Sequence, residues 1–321
     1  MNFTQIQQPG ILQDRLKSHQ ADLPPASQTD SRCKFFGNRH TKLAVIFLVV
    51  AASFAGCVFP PAGSRARQTI ALPAVSENPP VPTKHQLCDF ENLSKVLKCA
   101  LDSDRDILPA KLEKNLTPLL NQLRIFQHAG PGSTPEYFET DWQKTAYWLN
   151  ARAAWSIYVA YLQSKKPADG RTCDFSNLEF LLDGKMRTFA DIDRKLEQTG
   201  GLFAVLCAPG VTSHRARLPG KPFSGENLHQ RLEKRFCKFI SDPKKIIIDV
   251  DNQTVEFPPV IWKFRDRLIA KYQHDFGAKN VTLTTALLRY VKGAAQNKLQ
   301  NAIGYKCRQN DKPVKLLICE D

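Results

Sequence analysis

EYFETDWQKTAYWLNARAAWSIYVAYLQSKK, residues 136–166, is the stretch around which the rest of this sequence is organised. Apolar side chains recur in it three and four positions apart, at Trp142, Ala146, Leu149, Ala153, Ile157 and Ala160. This spacing places them on one face of an α-helix. Aromatic residues fill other faces as well, at Tyr147, Trp148, Trp155, Tyr158 and Tyr161. The pattern therefore predicts a long central helix that is buried on most sides.

Turn residues predict β-hairpins on the C-terminal side of this helix. Asp183-Gly184 and Asp251-Asn252 each stand between two apolar stretches, which is a hairpin signal. Residues 305–308 and 314–319 indicate a third, terminal hairpin. Most of the remaining segments have helical periodicity, and strands do not alternate with helices in the manner of a parallel sheet. The expected fold class is α+β, a helix-dominated single domain with short antiparallel β-hairpins.

The N-terminal part of the chain has a different character. Residues 1–42 are predicted to form a disordered basic region, in which Arg32, Lys34, Arg39 and Lys42 cluster. Residues 43–56, LAVIFLVVAASFAG, form an uncharged apolar segment typical of an export signal or anchor. Residues 57–86 are Pro-rich and predict an extended linker. Residues 87–321 remain as the globular domain.

The end of the apolar segment indicates how the chain is attached to a membrane. Ala55-Gly56-Cys57 resembles the lipobox of bacterial lipoprotein signals, in which the cysteine is lipidated. Two alternatives stay open: an uncleaved transmembrane anchor helix, although spanning takes about 20 apolar residues, and an ordinary cleaved signal. The expected location is the cell envelope, with the domain outside the cytoplasm and anchored to the membrane through a lipid or a helix.

Composition restricts the classes of protein and partner. The chain has 321 residues with 45 Lys+Arg against 31 Asp+Glu, a net charge of +14, and a hydrophobic fraction of 42%. This hydrophobic content excludes a largely disordered chain, and the single apolar run excludes a polytopic membrane protein. A basic exported domain meets anionic lipid or acidic polysaccharide, although a basic surface can also serve solubility alone. No zinc-finger, RNP-type or basic-zipper pattern occurs, so no specific nucleic acid is expected.

Several stretches between Asp141 and Phe276 resemble the domain-of-unknown-function 547 family. They are AYWLN at 146–150, ADID at 190–193, LFAVLCA at 202–208, and the helix and hairpin segments spanning 226–239 and 247–276. The family carries no activity that the resemblance could imply for this chain. Its second cysteine, which precedes two prolines, has no counterpart in residues 210–218, and Arg152-Ala153 replaces its Tyr-Asn pair.

Cys207, His214 and Asn150 are the candidate catalytic residues. A cysteine nucleophile needs a basic partner that lowers the thiol pKa, and His214 follows Cys207 by seven residues. Asn150 could complete a Cys–His–Asn set. Such a set would make the protein a cysteine-type hydrolase or transferase. The alternative is that Cys207 is a small core residue and that Asn150 ties the central helix to a loop. We favour this second interpretation and expect an interaction or structural module without catalysis.

No cofactor or metal site is expected. P-loop, G-x-G-x-x-G, C-x-x-C and H-x-x-x-H motifs are all missing from the sequence. One disulfide is expected, between Cys307 and Cys319. Export places the domain in a compartment that can be oxidising, and the two cysteines would lie on the paired strands of the terminal hairpin.

Replacing Cys57 tests the predicted lipid anchor. The change Cys57→Ser removes the only acceptor sulfur at the end of the apolar run, so the chain should lose metabolic lipid labelling and accumulate as an unprocessed precursor. Fatty-acid labelling and intact mass measure both effects. Cys33→Ser is the matched control and should change neither. Unchanged labelling and mass in Cys57→Ser would rule out a lipid on Cys57.

Overall fold

The computed structural model describes residues 66–74 and 82–319. Its helices are α1 (Lys84–Asp89), α2 (Glu91–Cys99), α3 (Pro109–Lys114), α4 (Leu116–His128), α5 (Asp141–Ser164), α6 (Phe189–Leu206), α7 (Leu228–Ser241), α8 (Pro259–Lys263), α9 (Arg265–Phe276), α10 (Leu283–Leu288) and α11 (Ala294–Asn301). Its strands are β1 (Gln68–Ile70), β2 (Leu178–Leu182), β3 (Lys185–Thr188), β4 (Ile247–Asp249), β5 (Thr254–Phe257) and β6 (Lys306–Gln309). Helices dominate, and the strands form two small mixed sheets of three strands each. This is an α+β architecture, as the sequence predicts.

Helix α5 is the predicted central helix. Thr140 caps its N-terminus: the Thr140 hydroxyl accepts the Gln143 N–H at 3.2 Å, and the Gln143 side chain accepts the Thr140 N–H at 3.1 Å. Every residue from Thr145 to Ala160 is buried. The helix packs against α1, α3, α4, α6 and α7. The prediction of a central helix buried on most sides is confirmed.

Aromatic contacts join α5 to its neighbours on two sides. The Trp155 ring stacks on Phe180 of β2 with 4.2 Å between centroids. The Tyr147 ring meets Phe126 of α4 edge to face at 5.2 Å. The Tyr147 hydroxyl donates to the carbonyl oxygen of Ala129 at 2.9 Å, so this buried polar group is satisfied.

The first sheet has the order β1-β2-β3. Strands β2 and β3 pair antiparallel around Asp183 and Gly184, whose φ values are 55° and 70°. Both turn residues lie in the left-handed region that glycine and aspartate tolerate best, which explains the hairpin signal. This predicted hairpin is confirmed.

The N-terminal boundary of the folded part differs from the prediction. Strand β1 pairs in parallel with β2, with Gln68 opposite Leu178. It lies inside the predicted linker, residues 57–86, as do the first residues of α1. Ile70 supplies the physical reason, since its side chain is buried against the core. Folded structure therefore extends to the N-terminal side of the predicted boundary at Leu87.

The second sheet has the order β4-β5-β6. Strands β4 and β5 form the antiparallel hairpin predicted around Asp251-Asn252. Strand β6 then pairs in parallel with β5, so it takes no part in a terminal hairpin. Leu316 and Ile318 instead form bridges to Thr212 and Ile107. The predicted terminal hairpin is therefore wrong, because β6 completes its hydrogen bonds on an existing strand.

This pairing also separates the two cysteines of the predicted disulfide. Cys307 lies opposite Val255 on β6, with its sulfur 3.4 Å from Thr284 Oγ1. The sulfur of Cys319 lies 3.3 Å from Asp102 Oδ2. Neither Cys307 nor Cys319 takes part in a disulfide. The Cys307–Cys319 disulfide predicted from the hairpin is thus not formed.

Helix α6 consists of two helical pieces that meet at Gly201. Gly201 has a φ of 68° and a ψ of −161°, which breaks the helix, and a second helical piece then runs to Leu206. Glycine adopts this backbone conformation without a Cβ clash. The break directs the second piece toward α7, against which α6 packs.

The membrane-address predictions lie outside the described residues. These are the basic region 1–42, the apolar segment 43–56 and Cys57. Among the helices of residues 66–74 and 82–319, none has the length and apolar character that a membrane span requires.

Truncating the centre of α5 should destabilise the whole fold. Leu149 is fully buried, so Leu149→Ala loses apolar burial and leaves a cavity, at a cost of about 2–5 kcal/mol. Leu162→Ala, at a half-buried position of the same helix, is the matched control and should cost less. Chemical denaturation of both variants measures the free energies of unfolding. Equal losses would mean that α5 is not the centre of the core.

Candidate anion-binding cleft

Cys207, the predicted nucleophile, is the C-cap of α6 and is fully buried. Its thiol donates to the carbonyl oxygen of Leu232 at 3.2 Å. Burial raises the pKa of this thiol to about 12, although the nearby charge of Arg235 acts in the opposite direction. Because the thiolate is the nucleophilic form, the environment holds Cys207 in an unreactive state.

Asn150 engages one residue with both ends of its amide. Its Nδ2 donates to the Phe223 carbonyl oxygen at 2.8 Å, and its Oδ1 accepts the Phe223 N–H at 2.8 Å. A fully buried amide is thereby satisfied by the backbone of the loop between α6 and α7. Asn150 does tie the central helix to this loop, but at Phe223 rather than beside Cys207.

His214 lies half-buried in the same loop. Burial lowers the pKa of its imidazole, and the charge of Lys245 lowers it further. Within the part of the chain that the structure describes, no hydrogen bond connects His214 with Cys207 or Asn150. The predicted catalytic set of Cys207, His214 and Asn150 is not assembled, because the cysteine and the asparagine are each bonded to backbone groups of other residues.

A buried ionic network fixes the start of this loop. Arg152 of α5 donates through Nε to Asp193 Oδ1 at 2.8 Å and through Nη1 to the carbonyl oxygen of Pro209. Arg215 donates to the other carboxylate oxygen of Asp193 at 2.8 Å. Burial opposes ionisation of Asp193, but the charges of Arg152 and Arg215 outweigh it and hold the pKa of this carboxyl below its usual range.

This network is not among the features that the sequence predicted. A usable signal was present, since Arg152 interrupts an apolar helix that was predicted to be buried. A buried charge requires a partner, and an acidic residue elsewhere could have been sought on that ground. Which acidic residue it would be, Asp193, follows only from the packing of α6 against α5.

The loop between α6 and α7 also borders a cavity of about 640 Å³ that we call the basic cleft. It is enclosed by residues 103–105, the loop segment 216–220, the C-terminal half of α7 and the turn 241–245. Six basic side chains line it: Arg105, Arg217, Arg235, Lys238, Lys244 and Lys245. Asp104 and Asp242 are the acidic residues in its lining. The excess of positive charge gives the cleft a field that attracts anions.

Three of the six basic residues are bound to other groups of the protein. Arg217 pairs with Asp106 at 2.6 Å, Arg235 donates to the carbonyl oxygens of Cys207 and Arg217, and Lys245 donates to those of Ser213 and Arg215. Burial lowers the pKa of Lys245 to about 8. These three residues form the wall of the cleft and hold the loop segments that shape it.

The other three basic residues are available for a ligand. Arg105, Lys238 and Lys244 are exposed. Among residues 66–74 and 82–319, no carboxylate forms a salt bridge with any of them. They come from three separate segments: the turn before α3, the helix α7, and the turn after it. Chain folding thus gathers at one cavity three positive charges that form no salt bridge within the described residues.

The described residues offer no comparable arrangement for a metal ion. No group of three or more His, Cys, Asp or Glu side chains that could ligate a metal is found in residues 66–74 and 82–319.

No family model matches this chain, and no match was found among curated proteins or solved structures.

Thiol alkylation should distinguish the buried Cys207 from a catalytic cysteine. With a pKa of about 12, only about one Cys207 in ten thousand is a thiolate at pH 8. Iodoacetamide should therefore modify the exposed Cys99 in the native protein and reach Cys207 only after unfolding. Peptide mass mapping over time gives both rates. Faster modification of Cys207 than of Cys99 would restore the cysteine-type mechanism.

Proposed function

We propose that the folded part of this chain is a non-catalytic binding module that holds an anionic ligand in the basic cleft. The observation that carries the proposal is the convergence of Arg105, Lys238 and Lys244 on one cavity without a salt bridge to any described residue. A cavity of about 640 Å³ falls in the range of about 300–1,000 Å³ that small-ligand sites occupy.

A cysteine-type hydrolase or transferase receives less support. Its nucleophile would be Cys207, whose thiol is buried, protonated and hydrogen-bonded to Leu232. Activation would need an opening of the loop between α6 and α7, which Asn150 holds closed at Phe223. The binding interpretation needs no such rearrangement.

Location and family are part of the same proposal and rest on the sequence. The apolar segment 43–56 and Cys57 support a domain anchored to a membrane, outside the cytoplasm, in the cell envelope. The motifs between residues 141 and 276 support a relation to the domain-of-unknown-function 547 family. In that location the anions within reach are lipid headgroups and acidic polysaccharide.

Neutralising the three available charges should weaken binding to a polyanion. The variant Arg105→Gln, Lys238→Gln, Lys244→Gln removes three contacts worth about 0.2–1 kcal/mol each, so affinity for heparin should fall roughly three- to hundredfold. Elution from immobilised heparin in a salt gradient, followed by titration calorimetry, measures the loss.

The matched control carries the same change of net charge at other positions. Lys95, Lys98 and Lys279 are exposed and do not line the basic cleft. Their combined replacement by Gln should leave heparin elution close to that of the parent. Equal losses in the two triple variants would show that binding follows net charge alone and would overturn the proposed site.

A further inference from the structure

A second cavity lies next to the basic cleft and is lined mainly by apolar side chains. This apolar groove has a volume of about 420 Å³ and runs between the end of α7, strand β4 and helix α11. Aliphatic side chains dominate its lining, among them Ile240, Ile246, Ile248, Val291, Ala295 and Leu299. Within the part of the chain that the structure describes, Lys298 is the one basic residue in its lining.

The groove and the cleft meet at one turn. Ser241, Asp242 and Pro243 line both cavities. Lys244 and Lys245, the next two residues, line the cleft, whereas Ile246 lines the groove. The side chains that line the two cavities therefore change from apolar to basic within a few residues of the chain.

The turn is also ordered by its own contacts. The Asp242 carboxylate accepts the Lys244 N–H at 2.9 Å, and the Lys245 N–H donates to the Asp242 carbonyl oxygen at 2.9 Å. Asp242 is the one acidic side chain among the residues shared by both cavities. Its carboxylate is partly used in presenting Lys244 toward the cleft, and the basic excess of the cleft outweighs its charge.

A ligand that fills both cavities must be apolar at one end and anionic at the other. We infer that the groove and the basic cleft together bind an anionic lipid, with its acyl chain in the groove and its phosphate group among Arg105, Lys238 and Lys244. This inference rests on the proposed function, because it assigns a ligand class to the same cleft. Burial of each methylene contributes favourably to binding, and the lysines attract the phosphate.

The size of the groove favours a lipid chain over a protein partner. Its volume of about 420 Å³ is that of a small-molecule site. Stable protein–protein interfaces bury about 1,200–2,000 Å² of surface, far more than a groove of this size presents. The positive charge of the basic cleft then favours a lipid with an anionic headgroup over a neutral or zwitterionic one.

Photo-crosslinking to the full-length protein tests this inference. The probe is an oleoyl lysophosphatidate with a diazirine in the acyl chain, used below its micelle concentration. Mass mapping should find the label on residues 240–248 or 291–299. Because mapping separates these peptides from residues 43–56, binding to the apolar N-terminal segment cannot be mistaken for binding to the groove.

Variants and competitors identify each half of the site. Ala295→Trp fills the groove from α11 and should lower groove labelling at least about tenfold, whereas Ala110→Trp, at an exposed position of α3, should not. The triple Gln variant at Arg105, Lys238 and Lys244 should also lower it. Unlabelled oleoyl lysophosphatidate should compete at least about tenfold better than oleoyl lysophosphatidylcholine or glycerol 3-phosphate.

The outcomes separate this inference from the proposed function. If heparin binding depends on the three cleft charges but the lipid label falls only on residues 43–56, or is insensitive to Ala295→Trp, the lipid assignment fails and the cleft remains. Equal competition by oleoyl lysophosphatidylcholine overturns the lipid assignment as well, because the cleft would then not distinguish an anionic from a zwitterionic headgroup. If the triple Gln variant changes neither heparin affinity nor labelling of the groove by the lysophosphatidate probe, both proposals fail.

Discussion

Burial of α5 on every side is the constraint on which the rest of this structure depends. A helix enclosed by five others shields its polar side chains from water, and several of them bond to groups elsewhere in the fold. Tyr147 bonds to the backbone before α5, Asn150 to Phe223, and Arg152 to Asp193 and Pro209. The segments that supply these partners are thereby fixed relative to the core.

The position of the basic cleft follows from these bonds. Arg152 and Asn150 hold the two ends of the loop between α6 and α7, at Pro209 and at Phe223. Between these points the loop carries Arg215, which completes the buried network, and Arg217, which lines the cleft. If the loop moved away from α5, the buried polar groups of Arg152 and Asn150 would lose their hydrogen-bond partners. Leaving buried polar groups unsatisfied is costly, so the loop has little freedom to move.

Solvent exposure decides which basic residues of the cleft stabilise the fold and which are available for a ligand. Arg217, Arg235 and Lys245 are partly or largely buried and are satisfied by carbonyl oxygens or a carboxylate, so their charge is committed to the fold. The side chains of Arg105, Lys238 and Lys244 are exposed to solvent, so their charges are available to an anionic ligand. A surplus of +14 over the whole sequence says nothing about this division, since it depends on which side chains the fold encloses.

Local patterns of the sequence determined the central helix, the two hairpins at Asp183-Gly184 and Asp251-Asn252, and the α+β class, because spacing and turn chemistry act within a few residues. They also favoured a buried Cys207 and an Asn150 that ties helix to loop. Parallel pairing of β1 and β6, the separation of Cys307 from Cys319, and the partner of Arg152 were decided by tertiary structure. The basic cleft belongs to the same group, since its residues are spread from 103 to 245 and share no local pattern. Contacts between segments distant in sequence depend on packing geometry, which no short-range periodicity records.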